Sequence, residues 1–126
     1  MPNAMDINER TLVADANPDV FPDALLVSAA PTLVVLSDND FGRVISIDRP
    51  QITMGRSPRA DVVIADQEIS RRHLMFRLNA EGLFCFDLGS TNGTFVNGRP
   101  ITQQLIREGD QIRLGETVLK CTHAGG

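Results

Sequence analysis

His73-Leu74-Met75-Phe76-Arg77-Leu78, then Asn79-Ala80-Glu81-Gly82, then Leu83-Phe84-Cys85-Phe86-Asp87: the fold of this chain is decided in these fifteen residues. Successive side chains of a strand point to opposite faces, so Leu74, Phe76 and Leu78 fall together on one side, as a half-buried antiparallel sheet requires. Asn79 to Gly82 carries turn-forming residues between two apolar runs and reads as a hairpin loop.

Outward from this hairpin the same pattern repeats. From Thr32 onward, short runs rich in β-branched and aromatic residues are bounded by Gly, Pro, Asn and Asp. The candidate strands are residues 33–37, 44–47, 51–54, 62–64, 73–78, 83–87, 94–96, 99–101, 111–114 and 117–122. None is long enough, with the right period, to be a helix. Asn97-Gly98 is the strongest short hairpin signal, because a type I′ turn needs positive φ at both central residues. Asp38-Asn39-Asp40-Phe41-Gly42 reads as another hairpin loop. Many short strands with frequent turns predict an all-β sandwich of two twisted, mostly antiparallel sheets, with no internal repeat.

Composition bounds the function. The chain has 126 residues, 42% of them hydrophobic, enough for one core plus a tail but short for two domains. Residues 1–30 are rich in Asp, Asn, Ala and Pro, and predict a flexible acidic tail. Asn3-Ala4-Met5 reads as the end of a cloning scar ahead of a native Met, so residues 1–4 stay out of the fold reading. Residues 31–122 are expected to form the domain and residues 123–126 a short C-terminal tail.

Trp and Tyr are absent and six Phe carry the aromatic content, which removes the stacking platform of single-stranded nucleic-acid binders. A formal net charge of -4 argues against a duplex-binding surface. That charge resides in the tail, where Asp6, Glu9, Asp15, Asp19 and Asp23 stand against Arg10; the remaining eleven acids and eleven bases balance. Arg56, Arg59, Arg71 and Arg72 can therefore build a local positive patch. Cys85 and Cys121 lie inside apolar runs without metal-ligand spacing, as buried free thiols of a reducing cytoplasm do. No signal peptide is visible, and no apolar run approaches the about 20 residues that cross a bilayer. A cytoplasmic protein without membrane or nucleic-acid partners is expected.

The residues that carry chemistry fall in loops: Gly55-Arg56, Ser70-Arg71-Arg72-His73 and Ser90-Thr91-Asn92-Gly93-Thr94. Each cluster pairs turn-forming residues with hydrogen-bond donors, which suits holding a phosphate without transferring it. Gly-Arg, Ser-Arg-x-His, Ser-Thr-Asn-Gly-Thr and Asn-Gly at this spacing resemble the signature of the forkhead-associated (FHA) domain, a phosphothreonine-peptide binding module. The resemblance covers about residues 31–122.

The resemblance implies that Ser70 and Arg71 make the main phosphate contacts and that Thr91 adds another. A phosphothreonine carries roughly -1.5 to -2 charge and three acceptor oxygens, which a hydroxyl and a guanidinium suit. It also implies that Arg56 reaches the peptide backbone or the phosphate, that Asn92 bonds the peptide main chain, and that His73 braces the loops. Gly55, Gly93 and Asn97 are structural supports in this reading. Arg72, one residue on, points elsewhere by strand alternation. Catalysis by Ser70 with His73 would need a third group and an oxyanion hole, and no such set is recognisable.

Glu68, two residues before Ser70, lies where family members meet the side chain three residues after the phosphothreonine. A carboxylate there disfavours an acidic residue. Thr11 is a candidate regulatory phosphosite, since some bacterial members of the family close on their own phosphorylated tail. The expected function is phosphothreonine-dependent interaction in signalling, without cofactor, metal or catalysis, as the N-terminal part of a larger regulatory protein. The competing expectation is a docking or oligomerisation module of the same fold that ignores phosphorylation.

Overall fold

The computed structural model describes residues 30–124. Eleven strands follow in chain order: β1 (Thr32–Val35), β2 (Val44–Ser46), β3 (Gln51–Gly55), β4 (Val62–Val63), β5 (Leu74–Asn79), β6 (Gly82–Asp87), β7 (Thr94–Val96), β8 (Arg99–Ile101), β9 (Gln103–Ile106), β10 (Gln111–Leu114) and β11 (Thr117–His123). A 3-10 turn, Asp38–Asp40, sits inside the β1–β2 hairpin. The first sheet runs β2-β1-β11-β10-β7-β8 and the second β4-β3-β5-β6-β9. Every pairing is antiparallel except β3 with β4.

Alternation builds the core. Leu74, Phe76 and Leu78 of β5 face inward with Leu83 and Cys85 of β6 and Ile52 and Met54 of β3, all essentially inaccessible to water. From the opposite sheet Leu33, Val35, Ile112, Leu114, Leu119 and Cys121 meet them. Two sheets each contributing one apolar face make a sandwich, the layer arrangement in which both hide that face from water. Both thiols are buried and free. Burial, with the Asp87 carboxylate nearby, pushes the Cys85 thiol up to about 12, so it behaves as a small hydrophobe and not as a nucleophile.

The turns follow their sequence. Asn97 and Gly98 both take positive φ, 51° and 84°, as a type I′ hairpin demands. Asn79 pairs with Gly82 across the β5–β6 turn, and the Asn79 side chain accepts the Glu81 N–H at 2.8 Å.

Ten of the eleven strands coincide with the runs read from the sequence, with ends displaced by a residue or two. The exception is β9, which pairs with β6 at the edge of the second sheet. Gln103 and Gln104 are exposed and only Ile106 is buried, so this strand carries no apolar alternation to betray it. An edge strand with one inward residue is held by its backbone ladder.

Candidate functional site

Three loops gather at one end of the sandwich: residues 56–61 after β3, residues 64–73 between β4 and β5, and residues 88–93 between β6 and β7. Gly55 sets the spacing of the first two. A Cβ on Gly55 would overlap the backbone oxygen of Arg71, so only glycine lets the two loops lie this close. The Arg56 N–H donates to Ser70 O at 3.0 Å and the Ser57 N–H to Arg71 O at 3.1 Å.

His73 joins the second loop to the third. Its ring is fully buried. Nδ1 accepts the Ser70 N–H at 3.0 Å, and Nε2 lies 2.9 Å from Gly93 O. A backbone N–H can only donate and a carbonyl can only accept, so the proton sits on Nε2. Both ring nitrogens are thus committed to backbone groups, and neither serves as a base toward Ser70 Oγ. That oxygen instead accepts the Thr91 N–H at 3.0 Å, which ties Ser70 to the third loop and leaves its own O–H to donate outward.

Asn92 also crosses between these loops. Its Nδ2 donates to Glu68 O at 2.9 Å and lies 3.3 Å from Glu68 Oε1. The amide nitrogen is therefore engaged by the protein, and Oδ1 is the atom left to meet an N–H of a bound chain. Arg56 is similarly half-committed: its Nε donates to Ile69 O at 3.0 Å, which fixes the stem while the exposed guanidinium end keeps its remaining donors. The Arg71 side chain is exposed and has no bonding partner among the described residues. Ser70, Arg71, Thr91, Asn92 and Arg56 are thus brought to one end of the fold, with Gly55, His73 and Gly93 beneath them. Asn97 is not: it stands past the far end of β7, bonded to Asp110 Oδ1 at 2.9 Å and to the Gln111 N–H at 3.0 Å.

Glu68 borders a cleft of about 600 Å³ that Asp38, Asp66 and Glu116 also line. Four carboxylates on one cleft beside the arginines give this end of the molecule two electrostatic halves. Thr11 lies outside the described residues.

Two residues that sequence reasoning passed over organise the loops. Asp87, at the end of β6, accepts the Ser90 hydroxyl at 2.6 Å and the Thr94 hydroxyl at 2.7 Å through Oδ1, and the Gly89 and Ser90 N–H groups at 3.0 and 3.1 Å through Oδ2. Ser90 Oγ in turn accepts the Gly93 N–H at 2.9 Å. Asp66 accepts the Glu68 and Glu116 N–H groups, each at 2.9 Å, and the Thr117 hydroxyl at 2.7 Å. For Asp87 the available signal was Gly89 and Ser90 at i+2 and i+3, the Asx-turn spacing; Asp66, followed there by Glu68 and Ile69, carried none. For both carboxyls burial works upward, but these hydrogen bonds outweigh it and hold them below the usual carboxylate range.

The family description "FHA domain" matches residues 52–115, half of the chain, and covers all three loops. The chain belongs to the FHA domain family. It is therefore built on a phosphothreonine-binding module. An oxoglutarate dehydrogenase inhibitor of Corynebacterium efficiens is 37% identical over 91 residues, 72% of this chain and 64% of that protein. The glycogen accumulation regulator GarA of Mycolicibacterium smegmatis is 35% identical over 91 residues, 72% of this chain and 58% of the regulator. The FHA chain thus spans less than two thirds of the length of these relatives. Among solved structures, the FhaA FHA domain complexed with the intracellular domain of Rv3910 superposes with a TM-score of 0.67 at 34% identity, over 73% of this chain and 99% of that one.

A depressed carboxyl contributes stability that is present above its unfolded pKa, about 3.9 for Asp, and is lost as pH falls through the lower folded value. Acid unfolding followed by circular dichroism should accordingly show stability falling below about pH 4, with a shallower acid limb and lower neutral stability in Asp87→Asn. An unchanged acid limb in that variant would remove Asp87 from this role.

Proposed function

We propose that this FHA domain binds a phosphothreonine-bearing segment of a protein partner and thereby regulates it, performing no reaction and needing no cofactor. The observation that carries the reading is the bond from the Thr91 N–H to Ser70 Oγ. It aligns two loops so that the Ser70 hydroxyl, the Thr91 hydroxyl and the unpaired Arg71 guanidinium can converge on one phosphate, while Arg56 and the Oδ1 of Asn92 take the peptide backbone. Charge-assisted donors presented on a rigid scaffold suit recognition of a dianion.

The relatives support a regulatory role. They are named for inhibiting oxoglutarate dehydrogenase and for regulating glycogen accumulation, and the FhaA domain was solved on the intracellular domain of another protein. In our reading the chain acts in the cytoplasm as the N-terminal part of a larger regulatory protein, with residues 31–122 as the binding unit. Glu68, on its acidic cleft, selects against an acidic side chain three residues after the phosphothreonine. Thr11, once phosphorylated, competes for the same loops from within the chain, because a short tether supplies an effective concentration of about millimolar.

Isothermal titration with a phosphothreonine peptide and its plain counterpart checks the central reading. The phosphopeptide should bind, and Ser70→Ala or Arg71→Ala should each weaken it by roughly tenfold to a hundredfold, the equivalent of one charge-assisted bond. Equal affinity for both peptides, insensitive to either substitution, would favour a docking module that ignores phosphorylation. In a phosphopeptide library Glu68→Lys should shift the preference at the third following position toward Asp and Glu; an acidic preference already in the unsubstituted protein would sink the role of Glu68. Phosphorylating the full chain at Thr11 should suppress peptide binding, and Thr11→Ala should abolish that suppression; undiminished binding by the phosphorylated chain would end the self-masking idea.

A further inference from the structure

The outer face of the first sheet is more apolar than a solvent-facing layer calls for. Val34 of β1 lies directly opposite Val44 of β2, and Val44 is 62% exposed. Leu36 continues the row and donates its N–H to Val118 O, and Val118 on β11 is only half-buried. Lys120 and Arg113 also belong to this face: Lys120 pairs with Val34, and Arg113 lies 4.1 Å from the centroid of the Phe95 ring. None of its outward strand residues is acidic. An exposed antiparallel sheet ordinarily alternates apolar inward and polar outward, so four aliphatic side chains side by side among two bases ask for a cover.

The chain itself supplies a matching segment. Val20-Phe21-Pro22-Asp23-Ala24-Leu25-Leu26-Val27 is the most apolar part of the first thirty residues, with six of eight positions Val, Phe, Ala or Leu. Those thirty residues have a net charge of -4, with Asp19 and Asp23 in or beside the segment. Chain continuity and exposure favour the first sheet as the face it covers. Pro31 O accepts the Ile47 N–H, so the chain is fixed beside β2 from Pro31 onward. Four residue steps from Val27 to Pro31 span at most about 14 Å. The second sheet also has apolar residues on its outer face, among them Met75, Phe84 and Leu105. Those three are only half-buried side chains, whereas Val44 on the first sheet is 62% exposed, so the first sheet has more apolar surface left to cover. The outer face of the first sheet begins at the neighbouring strand, about 4.8 Å away.

We propose that residues 20–27 dock along the outer face of the first sheet, with Phe21, Leu25 and Leu26 covering Val34, Leu36, Val44 and Val118, and with Asp23 facing Lys120. This contact is independent of phosphate recognition. It extends the folded unit back from Pro31 to about residue 20.

Methyl NMR on the full chain tests the contact. Asn17→Cys offers a site for a nitroxide label, and the buried Cys85 and Cys121 stay unlabelled. The label should erase intensity from the methyls of Val34, Val44 and Val118 while sparing Met75 and Leu105. Adding Phe21→Ser, Leu25→Ser and Leu26→Ser should restore the three valines. Equal losses on both outer faces, losses centred on Met75 and Leu105, or valine losses that disappear when labelled protein is diluted with unlabelled chain would each overturn the proposal, the last by assigning the face to a second copy.

Discussion

One buried ring carries the architecture of the binding end. The His73 imidazole takes the Ser70 N–H at one nitrogen and donates to Gly93 O, twenty positions along the chain, from the other, so two loops are fastened through a single side chain. Leaving either backbone group unpaired in that buried setting would cost about 1–3 kcal/mol, a large share of what an ordinary domain has in reserve. The Ser70 hydroxyl and the Asn92 amide add cross-links over the same gap, and Asp87 shapes the third loop from below. The exposed donors are consequently held from below by His73 and Asp87 and from the side by one another.

The division of labour follows from polarity and burial. Groups beneath the surface, namely His73, Thr94 and the Asp87 carboxylate, spend their hydrogen-bonding capacity on the chain. The side chains of Arg71 and Thr91, above them, keep theirs for solvent, and Ser70, Arg56 and Asn92 divide theirs. Desolvation would punish an arginine with no partner in the interior, whereas at the loop tips it stays hydrated.

How much of this was legible in the sequence depended on which force fixed each part. The β5–β6 hairpin could be read because burial on one face imposes period two, and Asn97-Gly98 because only certain residues tolerate positive φ. The loop residues could be read through a family signature. β9 could not, since Gln103 and Gln104 are placed by backbone pairing with β6, which leaves no mark on side-chain choice. The commitment of the Asn92 nitrogen to Glu68 was hidden for a related reason: an amide looks bifunctional until the fold consumes half of it. Asp87 and Asp66 looked like ordinary turn acids, because the number of donors converging on a carboxylate is a property of three dimensions.

The close approach at Gly55 separates what Arg71 does with its backbone from what it does with its side chain. Its carbonyl oxygen packs into the gap left by the missing Cβ and accepts the Ser57 N–H, and the guanidinium points away into water. The loop's shape is thus indifferent to the side chain it carries there. A module built this way can have its charge rewritten at one position while its frame stays as it was, so that ligand preference can drift, or be redesigned, without refolding the protein.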